Sequence, residues 1–440
     1  MKRTINFSAI VALIFLLPHF LIAQQVKPRY ALYDEFNHPR QTPSLHKTTA
    51  VTLSLDSVYI NEFANGAKEK YRKSVFIYDQ ATSNCIEEYD FEWNGFSWYR
   101  AFKYTYAYDA NANLTEQVHY DWNGLIWQPG WKNVFIYNSN DERTEEVNYN
   151  WVGGAWQPLM RYTYTFGTNS RLEEKNRFYW NGGSWDQIQK EEYTYDSFDM
   201  LLEKLLSSWA GTTWYPNQKS IYSYNGLGRL SIQLNYQWNG VTWEKQDSSA
   251  FSYDSNGFLN KKVDAYWNGT SWNIDDRITN TNDAHGNVLE EIYEYWGTSN
   301  SWEPLLKTES QYDLAYDHSN IAQPQLFYEV CYNKLDYFAS YSWNISAWEK
   351  EADYEFFYSN FIDLEEMTLT TYSAYPIPVT NKLVIRAGEK GSATLIDITG
   401  KDLANWNLEH GEQSFDFSAY PPGLYFVHVQ GRAMIKVVKQ

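Results

Sequence analysis

The amino-acid sequence predicts an all-β fold: a long antiparallel meander of repeated hairpins that coils, followed by a small C-terminal β-sandwich. Three observations carry this prediction. A tryptophan pair recurs at a fixed spacing, residues alternate with period two between the pairs, and from residue 375 the aromatic pattern gives way to short aliphatic runs. The first Trp of each Trp-Asn-Gly-x-x-Trp-like motif stands at Trp93, Trp122, Trp151, Trp180, Trp209, Trp238, Trp267 and Trp296, so that each lies 29 residues beyond the last (122 − 93 = 29). A fixed period of this length marks a repeat architecture.

At the start of the chain, Lys2 and Arg3 precede an apolar run over 9–17, and Leu21-Ile22-Ala23 supplies small or neutral residues before Gln24. This is the pattern of a secretory signal peptide, residues 1–23, cleaved near Ala23. Pro18 and His19 cut the apolar run short of the roughly 20 residues that a spanning helix needs, and no later segment is apolar enough to form one. Residues 24–50 read as an N-terminal extension.

The repeat domain is expected over 51–362. It opens with a degenerate unit at Phe63-Ala64-Asn65-Gly66 and ends with Trp343-Asn344-Ile345-Ser346-Ala347-Trp348, after an insertion between about Asp313 and Tyr337. The segments 132–137 and 144–151 alternate, which means strands, and Asn-Gly between aromatics is a strong hairpin signal because both residues tolerate positive φ. Each unit is therefore two antiparallel strands, with one turn at Trp-Asn-Gly-x-x-Trp and the other at Tyr-Asp/Asn-x-x-x. The two indoles face each other across the first turn, a pairing worth on the order of 0.5 to 1.5 kcal/mol beyond burial. A flat sheet of that many strands is unusual because strand twist accumulates, so the array is expected to coil.

Alignment of the units exposes columns. Six residues before the leading Trp stand Glu87, Glu116, Glu145, Glu174, Glu203 and Glu290; ten after it stand Lys103, Lys132, Arg161, Lys190, Lys219 and Arg277; thirteen after it stand Tyr106, Phe135, Tyr164, Tyr193, Tyr222 and Phe251. Symmetric pairing about the five-residue turn sets Phe135 opposite Glu145, since 137 + 143 = 135 + 145. That register puts the Glu column on the aromatic face and the basic column on the other. Carboxylates beside aromatic rings suit a sugar, so Glu116, Glu145, Glu174, Glu203, Tyr106, Tyr164, Tyr193 and Tyr222 are the candidate ligand-binding residues. The competing reading is that the columns recur because each unit packs on the next. So regular a ladder gives each carboxylate a similar environment, unlike the two distinct groups of a glycosidase.

After a linker over 363–374, the last segment reads as short strands over 382–386, 393–398, 413–417, 423–429 and 434–439, with turns at Thr399-Gly400 and Pro421-Pro422-Gly423. Tyr375-Pro376-Ile377-Pro378, Ala393-Thr394-Leu395-Ile396-Asp397-Ile398-Thr399-Gly400-Lys401, Pro422-Gly423-Leu424-Tyr425-Phe426-Val427 and Lys436-Val437-Val438-Lys439 follow one another in the order of a known family. Residues 375–440 resemble the type A C-terminal sorting domain of the type IX secretion system, with Ile377 standing where that family has Asn. The resemblance implies a β-sandwich that engages the type IX secretion machinery and carries its cargo across a Gram-negative outer membrane. Tyr375, Pro376, Pro378, Asp397, Gly400, Gly423, Tyr425, Lys436 and Lys439 are the sorting-motif residues it marks. Within the repeats, Tyr224-Asn225-Gly226-Leu227-Gly228-Arg229-Leu230 and Tyr253-Asp254-Ser255-Asn256-Gly257-Phe258-Leu259 resemble the YD repeats of Rhs and Tc-type surface proteins, which implies a coiling β-meander.

Composition narrows the function. The 36 basic and 54 acidic residues give a net charge of −18, which disfavours nucleic acid and anionic membrane as partners. Two cysteines make no disulfide scaffold, and eight scattered histidines show no metal-ligand spacing. Cys85 and Cys331 are expected to be unpaired unless the array closes on itself. Asp109-Ala110-Asn111-Ala112-Asn113 and Asp283-Ala284-His285-Gly286-Asn287 resemble the start of a calcium loop, but Tyr120 and Glu294 stand at the twelfth positions, where both would need Glu, and strand-connecting turns want these same residues, so turns and no metal are expected. With no cofactor motif and no catalytic signature, the expectation is a secreted or cell-surface protein, not an enzyme, that binds a glycan or protein ligand in adhesion. The alternatives are a purely structural surface spacer, or a hydrolase using the 313–337 insertion.

Overall fold

The computed structural model describes residues 51–64, 66–324, 331–360, 372–375, 378–387, 390–398, 401–429 and 433–440. The expected signal peptide, the N-terminal extension, residues 363–371 of the linker, and Asn65, Pro376, Ile377, Thr399 and Gly400 lie outside the described residues. The chain divides into two compact units, one up to residue 361 and one from residue 362.

The first unit is built from hairpins in which a short strand pairs with a longer one, as Leu114–Trp122 does with Trp127–Tyr137 and Leu201–Trp209 with Trp214–Tyr224. At the tip, Trp122 stands opposite Trp127. The Asn123 side-chain oxygen accepts the amides of Leu125 and Ile126 at 3.0 and 2.9 Å, and Gly124 takes a φ of +95°, a conformation that only glycine adopts without strain. Nine such indole pairs recur among the described residues, each edge-on with ring centroids 5.0 to 5.2 Å apart.

At the opposite turn, one side-chain oxygen again satisfies the backbone. Asp109 accepts the amides of Asn111 and Asn113, both at 2.9 Å, and Asp283 accepts those of His285 and Asn287 at 2.8 and 2.9 Å. The carboxylates that resemble a calcium loop thus serve as turn acceptors. The tyrosine ahead of this turn has a role that no column announces. The hydroxyls of Tyr78, Tyr108, Tyr137, Tyr195, Tyr224 and Tyr253 donate to the carbonyl 23 residues earlier, at 2.8 to 2.9 Å. Asn282 occupies the same slot and donates its amide to the Leu259 carbonyl at 3.1 Å.

The meander closes. Twenty strands pair antiparallel with their neighbours in the chain, and the first, Leu53–Ala64, pairs with the last, Ala347–Asn360, from Leu53 opposite Asn360 to Glu62 opposite Ala352. The expected coil is therefore a closed barrel, and the wide separation of Cys85 and Cys331 that an open array implies does not apply. Neither forms a disulfide, and both are buried. The 313–337 insertion interrupts the period: after the strand Trp302–Asp317 comes a 3₁₀ turn at His318–Asn320, and then Ile321–Ala322 pairs in parallel with Leu53 and Ser54.

The second unit has a three-stranded sheet (Tyr372–Tyr375, Lys382–Ala387, Gly411–Asp416) and a four-stranded one (Asp402–Leu408, Gly391–Asp397, Gly423–Val429, Ala433–Lys439). Leu383, Ile385, Leu395, Phe417, Val427 and Val437 form a fully buried core. Two of these strands escape the sequence reading, Tyr372–Tyr375 and Asp402–Leu408. In the latter, Asn405 and Asn407 disguise the strand, and Trp406 stacks on Phe415 with centroids 4.3 Å apart, tying one sheet to the other.

If the tyrosine hydroxyls tie together the two strands of each hairpin, Tyr224→Phe should cost about 0.5 to 1.5 kcal/mol, the usual worth of one hydrogen bond, in urea unfolding followed by circular dichroism. An unchanged midpoint would show that water replaces the Leu201 contact without loss.

Candidate functional site

Register decides which columns meet. Glu116 stands opposite Val134, and Val118 opposite Lys132, so all four share a face and Glu116 lies diagonal to Lys132. The symmetric pairing expected about the five-residue turn does not occur. Tyr137 pairs with Arg143, but Ile136 pairs with Glu145, leaving Thr144 as an extra residue, and Glu146 is the one opposite Phe135. This bulge flips the strand by one position. The Glu column therefore joins the basic column and the indole pairs, while the thirteenth-position aromatics face the other way.

On the tryptophan face, Lys103 holds Glu87 at 2.9 Å, Lys132 holds Glu116 at 2.9 Å, Arg161 holds Glu145 at 2.7 Å and Lys219 holds Glu203 at 3.9 Å. Several of these cations also lie over an indole of the next unit, Lys132 over Trp156 at 5.3 Å and Lys219 over Trp243 at 4.9 Å. An ammonium on a flexible stem satisfies both demands, carboxylate and ring face, from one position.

On the tyrosine face, hydroxyl and carboxylate do meet, but not with the column glutamates. Tyr106 donates to Glu88 at 2.6 Å and Tyr164 to Glu146 at 3.4 Å, each one residue past the column, and Tyr193 donates to Glu191 on its own strand at 2.6 Å. Burial, with Asp90 adding repulsion, pushes Glu88 up to about 8. Burial also acts to raise Glu191, yet Lys175 and Lys204 hold it below the usual carboxylate value. Tyr222 is buried with Leu201 and Leu230.

Among the candidate residues, Glu174 and Tyr193 both border one open groove, but on opposite faces of the sheet: Glu174 stands opposite Glu192, while Tyr193 points with Glu191 to the other side. Lys190, the expected partner of Glu174, reaches Glu192 at 2.9 Å instead, and Glu174 accepts only a hydrogen bond from Asn176, at 2.6 Å, among those recorded for it. The groove has a volume of about 530 Å³ and is lined by Arg171, Glu173, Glu174, Glu192, Tyr193 and Tyr195 among others. It lies beside the turn after Phe166, where Asn169 and Ser170 both take positive φ of 63° and 58°. Phe166 fills the slot of the joining tyrosine without a hydroxyl, and Arg171 pairs with Asp199 at 2.8 Å. The sequence shows this site only as a local loss of the repeat pattern.

The sorting-motif residues fall within the second unit. Tyr375 pairs with Val384, Gly423 with Lys439, and Phe426 with Lys436. Asp397 accepts the Lys401 amide at 3.1 Å, and the buried Tyr425 donates to the Pro421 carbonyl at 2.7 Å. Pro378 lies between the first two strands, and Pro376 and Gly400 lie outside the described residues.

Burial, followed by repulsion from Asp264, raises Asp276 to about 6. Between about pH 4 and about pH 6 the folded chain then binds more protons here than the unfolded one, so this contribution to stability is present at low pH and is lost as the pH rises through 6. Asp276→Asn should raise the melting temperature at pH 7 and leave it nearly unchanged at pH 4; an equal shift at both pH values would exclude a charge effect.

Residues 373–440 match the family model of the secretion system C-terminal sorting domain. The chain thus carries a type IX sorting signal and is exported to the cell surface or extracellular space. No curated protein matches the chain. Among solved structures it is similar to a DUF3836 family protein from Bacteroides vulgatus at 19% identity, over 20% of this chain and 90% of that one, with a TM-score of 0.18. It is also similar to a porin-like protein from Bacteroides uniformis at 9% identity, over 71% and 100%, with a TM-score of 0.28. The Tc holotoxin pore of Photorhabdus luminescens is similar at 12% identity, over 90% and 19%, with a TM-score of 0.33.

Proposed function

We propose that the exported chain is a non-enzymatic adhesive module that takes a carbohydrate in the groove around Glu174 and Glu192. The observation that carries this reading is the groove itself. Its volume of about 530 Å³ lies in the range of small-ligand sites, and Glu174 and Glu192, opposite each other on one face, are placed to accept sugar hydroxyls. An acid catalyst for glycoside cleavage needs a carboxyl enclosed enough to keep its proton. Glu192 is 41% exposed and holds an ammonium at 2.9 Å, so it is not an enclosed carboxyl of that kind.

The competing reading is a structural spacer, and it rests on the Glu and Lys columns, whose ion pairs join the two strands of a hairpin and whose cations cover an indole of the next. A glycan array on the whole chain, with hits followed by tryptophan fluorescence, separates the two. We expect a carbohydrate that binds with its affinity reduced at least tenfold by Glu174→Gln with Glu192→Gln, and unaffected by Glu116→Gln, at an unchanged melting temperature. An empty array supports the spacer. Removal of residues 373–440 should leave the chain in the periplasm in cell fractionation, whatever the ligand.

A further inference from the structure

The tips of the Trp-Asn-Gly turns stand along one rim of the closed sheet, and their chemistry changes around it. Ile345 and Phe96 are each 92% exposed and Leu125 is 84% exposed, with Ile126 and Val152 also facing solvent. These residues lie on the tips that follow the strands Asn333–Asn344, Cys85–Trp93, Leu114–Trp122 and Arg143–Val152. The tip after Leu53–Ala64, with Ala64 and Ala67 exposed, falls between the first two, because the first strand pairs with the last. Five neighbouring hairpins across the seam thus present apolar side chains to solvent. Among the remaining tips only Val241 exposes a large apolar side chain; the others end in residues such as Ser184, Thr212, Thr270 and Ser299.

The groups behind this arc are layered. An edge-on indole pair closes four of its five tips, and a cation rests on two of the pairs, Lys70 over Trp93 at 4.7 Å and Arg100 over Trp122 at 4.9 Å. Lys132 and Lys219 spend their charge on a carboxylate, whereas Lys70 and Arg100 form no ion pair among the described residues. We propose that this arc docks the protein on a zwitterionic phospholipid surface. Successive tips lie two strands apart, so five of them span about 40 Å or more at the usual strand spacing. A compact protein core does not receive anchors so widely spread, but a lipid surface is broad and yields locally. The layering also fits its depth profile: aliphatic and phenyl groups enter the hydrocarbon, indoles sit at the interface, and the long cationic side chains reach the phosphates. The amine of the same headgroup answers Glu62 and Glu69, two carboxylates that stand opposite each other behind the fifth tip. An anionic surface is disfavoured by the net charge of −18.

The test floats the full-length protein with phosphatidylcholine vesicles. We expect it to rise with them, and Phe96→Ser with Leu125→Ser and Ile345→Ser to cut the bound fraction by at least about tenfold, through the loss of three buried apolar side chains, at an unchanged melting temperature. Phe198→Ser with Leu227→Ser, exposed residues on turns of the opposite rim, should float like the wild type. So should Glu174→Gln with Glu192→Gln, which separates this surface from the carbohydrate groove. No flotation, flotation that needs phosphatidylglycerol, or a triple variant that floats like the wild type overturns the proposal. A dimer in sedimentation velocity that the triple variant loses, without flotation of the wild type, overturns it in favour of a second copy. Should the triple variant not fold, acyl chains brominated beside the glycerol decide: they should quench the tryptophan fluorescence of the wild type, whose indole pairs all stand at this rim, and unquenched fluorescence overturns it.

Discussion

A sheet edge carries a row of amide and carbonyl groups with no partner, and this constraint governs the first unit. A long meander of hairpins has two such edges, and here each satisfies the other, Leu53–Ala64 against Ala347–Asn360. Antiparallel closure demands an even number of strands, and twenty meets it. The pairing also demands a fixed register at each step, since a slip of one residue would exchange the two faces of the sheet. The edge-on indoles at each tip set that register on one side of a hairpin, and the bulge with its tyrosine sets it on the other.

The energy is spread over many small terms. An ion pair such as Lys132 with Glu116 is partly exposed, and such pairs contribute about 0.2 to 1 kcal/mol at most. The same ammonium over the Trp156 ring adds a comparable amount. No single contact dominates. Most strand pairs join neighbours in sequence, so their loops are short, while the seam between the first and last strands brings together residues some 300 apart. Its entropic cost grows only with the logarithm of that separation, which makes closure a modest further step once the hairpins are set.

The Trp-Asn-Gly turns, the two-strand unit and the sorting domain are legible in the sequence because each depends on residues close along the chain. The bulges are not, because Thr144 differs in no obvious way from a paired strand residue, and its effect is to exchange which columns share a face. Closure is equally hidden, since nothing in the composition of Leu53–Ala64 says that Ala347–Asn360 lies beside it. The candidate residues divide on the same ground. Glu116, Glu145 and Glu203 hold cations from the next strand, as a packing column would, and Glu174 instead borders open space opposite Glu192. Cys331 and His318, thirteen residues apart in an irregular segment, lie in contact beside the buried Asn287 of a distant turn, which spacing cannot reveal.

Because every unit contributes two strands, a ring of such units keeps its parity when one is duplicated or deleted. The perimeter changes by about 10 Å per unit, two strand spacings of roughly 4.8 Å, while the seam always joins an up strand to a down strand. Copy number in the underlying gene is then a dial for bore size, free of the frustration that an odd strand would impose. The interrupted unit beside the seam can diverge without disturbing that arithmetic, which marks it as the place where such a lineage acquires new chemistry.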